Sequence, residues 1–373
     1  MSHDDTVRRL GCARALVDGT LVDGDVEVQG GRVVAVGVPG DGRGLAVPGL
    51  VDLQVNGYGG VDLVQAADDD AWDTARRALA RDGVTGFVAN LVTSPLEVTR
   101  RAVHQVARQS ARPVPGAARL LGAALEGPYL SPERAGVHPR EALRSPAVAE
   151  LEELATGAGV VALTIAPELP DATAVIRWAA ERGWLVAVGH TTCSAAQAHD
   201  AFDAGARTVT HLGNAMPPVS AREPGPAAVA LTRDDVVVQL ICDGVHLADD
   251  WVRLALAAAR GRWVLVTDAM AAAGCGDGTY RLGERDVVVH GGVARDRDGV
   301  LAGSVATLAG CVREAVRCGA SELDALAAAT TWPARLLRHG PPGLGQLRPG
   351  GPADVVVLDD RLEVQRVLVA GHE

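Results

Sequence analysis

Short, largely apolar runs alternate along this chain with stretches whose apolar residues recur at helical spacing. The runs at 50–55, 86–92, 120–126, 160–166, 185–190, 208–211, 236–242 and 264–268 read as strands buried on both faces, as in a parallel sheet. Between them, 70–81, 95–109, 172–182, 194–204 and 249–260 have helical composition and polar caps. Eight strands alternating with helices predict an α/β chain folded as a (β/α)8 TIM-like barrel. The sixth connection departs from this rhythm. Residues 213–225 carry Pro217, Pro218 and Pro224 and predict an extended loop over the barrel mouth instead of a helix. Two helices, 307–318 and 322–337, are expected after the eighth strand.

The pattern is different at the two ends. Runs at 14–16, 21–28 and 32–36 are punctuated by Asp18-Gly19, Asp23-Gly24 and Gly30-Gly31, as short antiparallel strands joined by hairpin turns are. The same texture returns at 355–358 and 364–369. The ends are therefore predicted to form one small β-sandwich domain, residues 1–47 with 340–373, beside a barrel of residues 48–339.

Composition narrows the chemistry. All 35 basic residues are arginine, against 46 acidic ones, for a formal net charge of -11. That balance argues against a nucleic-acid or anionic-membrane partner, because there is no basic field to attract phosphate backbones. The absence of lysine excludes a Schiff-base lysine, a P-loop lysine and a carbamylated lysine bridging two metals. Six scattered cysteines, without a C-x-x-C pair, read as reduced thiols. The polar first nine residues, and the lack of any apolar run near the ~18 residues of a membrane span, predict a cytoplasmic protein.

Four of the apolar runs stop at Glu126, His190, His211 and Asp268. Strand ends share the mouth of a barrel, so these residues are expected to meet. Two imidazoles and a carboxylate suit zinc or iron(II), with a position left open for water. Asp268, in V-L-V-T-D-A-M, has two readings: an N-cap, or a general base that takes a proton from the attacking water and returns it to the leaving group.

The string T-H-L-G-N-A-M-P at 210–217, followed by R-E-P-G at 222–225, closely resembles the N-acetylglucosamine-6-phosphate deacetylases of the amidohydrolase superfamily. L-E-G-P-Y at 125–129, G-H at His190, D-G-V-H at 243–246, V-T-D-A at 266–269 and L-A-G-S at 301–304 match in the same order, so the resemblance covers nearly the whole chain. It implies metal ligation by Glu126, His190 and His211, with Asp268 as the catalytic acid/base. Where many amidohydrolases carry H-x-H on the first strand, this chain has Gln54 and Asn56. Amides are poor zinc ligands, so one divalent metal per subunit, zinc or iron(II), is expected. Gln54 and Asn56 then serve either as supports for the metal and its water or as ordinary strand and turn hydrogen-bonding residues.

The resemblance further implies substrate contacts from Val137, His138, Asn214, Ala215, Arg222, Asp243, Gly244, Val245, His246, Leu301, Ala302 and Gly303. Arg222 offers a planar fork for phosphate, and in the family its loop reaches across a dimer. A homodimer with Arg222 serving the neighbouring site is therefore expected, as is a phosphorylated N-acetyl amino sugar as substrate. Read without the motif, Arg222 is a solvated loop residue, and each lone histidine a surface or capping one. Rival readings are the N-acetylgalactosamine 6-phosphate epimer, and a cyclic-amide or deaminase enzyme, which more usually carries the H-x-H absent here. A non-catalytic binding barrel would be expected to have broken the ligand set, which is intact.

Overall fold

The computed structural model describes residues 6–155, 159–338 and 340–373. The polar start of the chain up to residue 5, and the expected domain-boundary residue 339, lie outside them. The eight apolar runs pair in chain order into one parallel sheet, through strands Leu50–Val55, Val84–Val92, Arg119–Glu126, Val160–Ile165, Leu185–Val188, Thr208–Val209, Val237–Leu240 and Trp263–Leu265. The ring closes where Val55 bridges Ala269 in parallel, and Asn56 donates its N–H to the Ala269 carbonyl at 2.7 Å. Val51, Leu53, Val88, Ala124, Leu185, Ile241, Val264 and Val266 are packed into one cluster of buried side chains. The barrel is thus a packed core and not a pore.

Helices Asp69–Arg81, Leu96–Ser110, Ala172–Glu181, Ala195–Asp203 and Asp249–Ala259 lie within a residue of their predicted spans. Their caps explain the starts: Asp68 accepts from the N–H of Ala71, and Ser194 forms a reciprocal capping box with Gln197. A further helix, Val148–Ala155, was not predicted. The loop after the sixth strand is extended as expected, but it leads into a helix, Gly225–Thr232, that its prolines conceal. Pro226 sits in that helix's first turn, where the missing N–H costs nothing. The predicted 322–337 helix is two, Glu322–Ala328 and Thr331–Leu336.

At the chain ends, the predicted 21–28 strand breaks at Gly24, whose φ of 111° only glycine adopts readily. Thr20–Asp23 joins a five-stranded sheet with Arg14–Val17, Leu45–Pro48, Val355–Leu358 and Val364–Leu368, whereas Asp25–Gln29 joins Arg8–Arg9 and Arg32–Val38. Ala15, Val355 and Leu368 of one sheet share a core with Val26, Val28 and Val33 of the other, which makes the small β-sandwich. Sequence reading missed a further antiparallel sheet, Gly278–Leu282, Arg285–His290 and Val293–Asp296, inserted after the eighth strand. No helix among the described residues is long and apolar enough to cross a membrane.

Candidate active site

Barrel strands five, six and eight stop two or three residues short of the side chains they were expected to carry. His190, His211 and Asp268 instead adopt left-handed backbone, with φ of 47°, 29° and 51°. For residues other than glycine this costs about 1–2 kcal/mol each, and such strain collects where geometry is functional. Gly303 makes room for one of these turns: a Cβ there would lie 2.8 Å from the Asp268 carbonyl oxygen.

These turns bring the donors together. Nε2 of His190 and Nε2 of His211 lie 3.1 and 3.2 Å from Oε1 of Glu126, and 3.1 Å from each other. Two zinc ligands each about 2.0–2.1 Å from the metal stand about 3.3 Å apart when tetrahedral, so the triangle has the size of a three-point metal site. The Nδ1 of His190 lies 2.8 Å from the Arg134 carbonyl oxygen and donates to it, which leaves Nε2 with its lone pair facing the triangle. Burial pushes the Glu126 carboxyl up, but His190 and His211 outweigh it and hold the carboxyl well below its usual range. The donor set fits a divalent metal.

His138 approaches more loosely, with Nε2 4.0 Å from Oε2 of Glu126. Its Nδ1 accepts the N–H of Thr93 at 3.2 Å, so a neutral ring carries its proton on Nε2 and is a donor toward the cleft. Burial, followed by the neighbouring His190, pushes its pKa down to about 3, which keeps the ring neutral. The neutral ring with its proton on Nε2 is set to donate toward the cleft, within ligand range of Glu126 and His190.

The carboxylate of Asp268 is half-buried in the wall of the cleft, and burial first, then Glu126, pushes its pKa up to about 6. Its Oδ1 accepts from Nδ2 of Asn56 at 2.7 Å and from Nε2 of Gln54 at 3.0 Å. The amides at the end of the first strand thus both donate to the aspartate. Thr210 in turn donates to Oε1 of Gln54 at 3.0 Å.

A cleft of about 290 Å³ opens above these groups. Of the sequence-predicted residues, Asn56, Glu126, Val137, His138, His190, His211, Asn214, Ala215, His246, Asp268, Leu301 and Gly303 line it. Asp243 stands behind His246, accepting from its Nδ1 at 2.7 Å and from the backbone N–H groups of Val245 and His246. Arg222, Gly244, Val245 and Ala302 do not line the cleft, and Arg222 is exposed. Sequence reading missed Val92, Glu133, Arg134, Ile241, Leu282 and Val300 in the lining, and Asn90, Thr93 and Thr210 beneath it. Asn90 and Thr93 had a visible signal, as polar residues in or beside a strand that is otherwise buried and apolar.

A parallel barrel that gathers two imidazoles and two carboxylates at its mouth is the arrangement of the metal-dependent barrel hydrolases. The amidohydrolase family model matches residues 45–373, and the chain belongs to that family. It is 37% identical over 383 residues to an N-acetylgalactosamine-6-phosphate deacetylase of Escherichia coli O157:H7, covering 100% of this chain and 99% of the relative. It is 38% identical over 389 residues to an N-acetylglucosamine-6-phosphate deacetylase of Bos taurus, covering 96% and 93%. Among solved structures, an aspartate-to-alanine mutant of N-acetyl-D-glucosamine-6-phosphate deacetylase from Mycobacterium smegmatis, in complex with N-acetyl-D-glucosamine 6-phosphate, superposes with a TM-score of 0.91. That match is 38% identical and covers 100% of this chain and 99% of the other.

Proposed function

We propose that this chain is a hydrolase that removes the acetyl group from N-acetyl-D-glucosamine 6-phosphate, giving D-glucosamine 6-phosphate and acetate. The observation that carries the proposal is the triangle of donors from Glu126, His190 and His211, with 3.1–3.2 Å sides, in the same cleft as Asp268. In this reading Glu126, His190 and His211 hold one divalent metal per subunit, with zinc or iron(II) matching two imidazoles and a carboxylate. Bound there, the cation supplies a Lewis acid for the amide carbonyl and lowers the pKa of water.

The chain's own groups do the rest. With Oδ1 of Asp268 taken up by Asn56 and Gln54, its other oxygen accepts the proton of the attacking water and passes it to the departing nitrogen. The Nε2–H of His138 meets the carbonyl oxygen as negative charge develops on it. Asn214, Ala215 and His246 hold sugar and phosphate oxygens, with Val137, Asp243, Gly244, Val245, Leu301, Ala302 and Gly303 shaping that end. Arg222, exposed in its own chain, reaches the phosphate in the neighbouring subunit of a homodimer. The barrel, residues 48–339, is the catalytic domain, the sandwich of 1–47 and 340–373 supports it, and the enzyme works in the cytoplasm.

A second reading, the galactosamine epimer, is favoured by the Escherichia coli relative that covers 100% of this chain. Acetate release decides between them, measured across N-acetylated hexosamines with and without 6-phosphate after loading with defined metals. No stoichiometric metal uptake, with no acetate from any sugar, would sink the proposal.

A further inference from the structure

The second barrel strand, Val84–Val92, is buried along its whole length, yet it carries Asn90 with only 3% of its surface exposed. A buried amide is costly unless its hydrogens find acceptors. One Asn90 Nδ2 hydrogen goes to Oε2 of Glu126 at 2.6 Å and the other to Oδ1 of Asn56 at 2.7 Å. From these contacts we infer that Asn90 is a positioning residue that ties the metal-binding carboxylate to the acid/base, an inference that rests on the roles proposed above for Glu126 and Asp268.

The orientation of the whole chain of groups follows from one fact: an ionised carboxylate only accepts. Glu126 therefore turns the nitrogen of Asn90, and not its oxygen, toward itself. The other hydrogen of that nitrogen fixes the Asn56 carbonyl, so the Asn56 nitrogen faces Oδ1 of Asp268 at 2.7 Å. Two consequences concern the chemistry. Glu126 has Oε2 occupied and presents only Oε1 to His190 and His211. Asp268 has Oδ1 filled by Asn56 and Gln54, which leaves Oδ2 as the oxygen that carries the proton.

Without Asn90, Glu126 is free to chelate through both oxygens and the Asn56 amide is free to flip. The test compares full-length wild type, Asn90→Ala and Asn90→Thr, each loaded with cobalt(II). A threonine hydroxyl has one hydrogen and serves one of the two acceptors, not both. Asn90→Ala is expected to bind one cobalt per chain about tenfold or more weakly in competition with a chelator, as loss of such supporting groups does elsewhere. Its visible absorption should weaken as the second Glu126 oxygen raises the coordination number. Its kcat should fall about tenfold or more while KM changes much less, with Asn90→Thr in between. Wild-type values for the cobalt spectrum, affinity and kcat in Asn90→Ala would overturn the inference alone. Should that variant fail to fold, wild-type values in Asn90→Thr would do the same. A wild-type chain that takes up no cobalt overturns the metal reading of Glu126 and this inference with it.

Discussion

Thr93 donates its backbone N–H to Nδ1 of His138 at 3.2 Å, which leaves the proton of that neutral imidazole on the far nitrogen. The neighbouring His190 is held the opposite way, its Nδ1 donating to the Arg134 carbonyl. Two histidines whose ring centroids are 4.5 Å apart are therefore assigned different work by the backbone groups behind them. His138→Ala should leave one metal per chain while lowering kcat by about 10²–10³, the usual cost of losing one oxyanion donor. Metal analysis beside steady-state kinetics checks this, and a lost metal would make His138 a ligand after all.

Asp268→Asn keeps the side chain's size and should keep the metal, but it removes the proton acceptor. Turnover should fall by about 10²–10⁴. The pH profile carries the same assignment. Burial, with Glu126 beside it, raises the Asp268 carboxyl to about 6. Below that value the group is protonated and cannot act as a base, so wild-type kcat/KM should rise with pH and level off above it. A bound dication favours the ionised form and moves this limb to lower pH. A profile that instead falls between pH 5 and 6 would remove Asp268 from the base role.

Asp52 is fully buried, and burial pushes its pKa from 3.8 to about 7 against hydrogen bonds from Thr267 and Gln54. The folded chain thus binds a proton that the unfolded chain releases at a lower pH. The contribution of Asp52 to stability is full below about pH 4 and is lost as pH rises to about 7, at about 1.4 kcal/mol per pH unit. Asp52→Asn lacks this titration. Its Tm relative to wild type should climb between about pH 4 and 7 and level off above, in thermal melts at matched metal content, and a constant difference would show that Asp52 does not titrate in that window.

Much of this site was legible because the barrel and its chemistry share one signal. An apolar run that ends in Glu126, His190, His211 or Asp268 announces both a buried strand and a mouth residue. What sequence hid were features set by tertiary context. The left-handed positions at His190 and His211 are held by histidines and not by glycine, so nothing in the residue type betrays them. Asn90 reads as a blemish in an apolar strand until Glu126 and Asn56 are beside it. The inserted sheet did leave a trace, with Val287 and Val289 buried and Val288 52% exposed ahead of Gly291-Gly292. That alternation is short, and it stands between barrel elements of another period.

Arg222 raises the question of whether one chain makes a whole site. It is exposed, outside the cleft of its own chain, in a loop whose Val219 is also 43% exposed. A solvated arginine there would matter little. One that reaches a neighbour's phosphate would be felt only with phosphorylated substrate. Arg222→Ala should raise KM for the 6-phosphate sugar about 10- to 100-fold, the worth of a hydrogen bond to a charged group, and leave the unphosphorylated sugar unchanged. Mixing makes the test specific to a shared site. An Asp268→Asn chain still offers Arg222 to its neighbour, and an Arg222→Ala chain still has its own Asp268. At substrate well below KM, where Arg222→Ala homodimers contribute little, randomly exchanged subunits of the two variants should therefore recover about one quarter of wild-type activity, because half the dimers are mixed and each of these has one complete site. Recovery near zero, in a sample shown by native mass spectrometry to contain mixed dimers, would mean that Arg222 does not act across the interface.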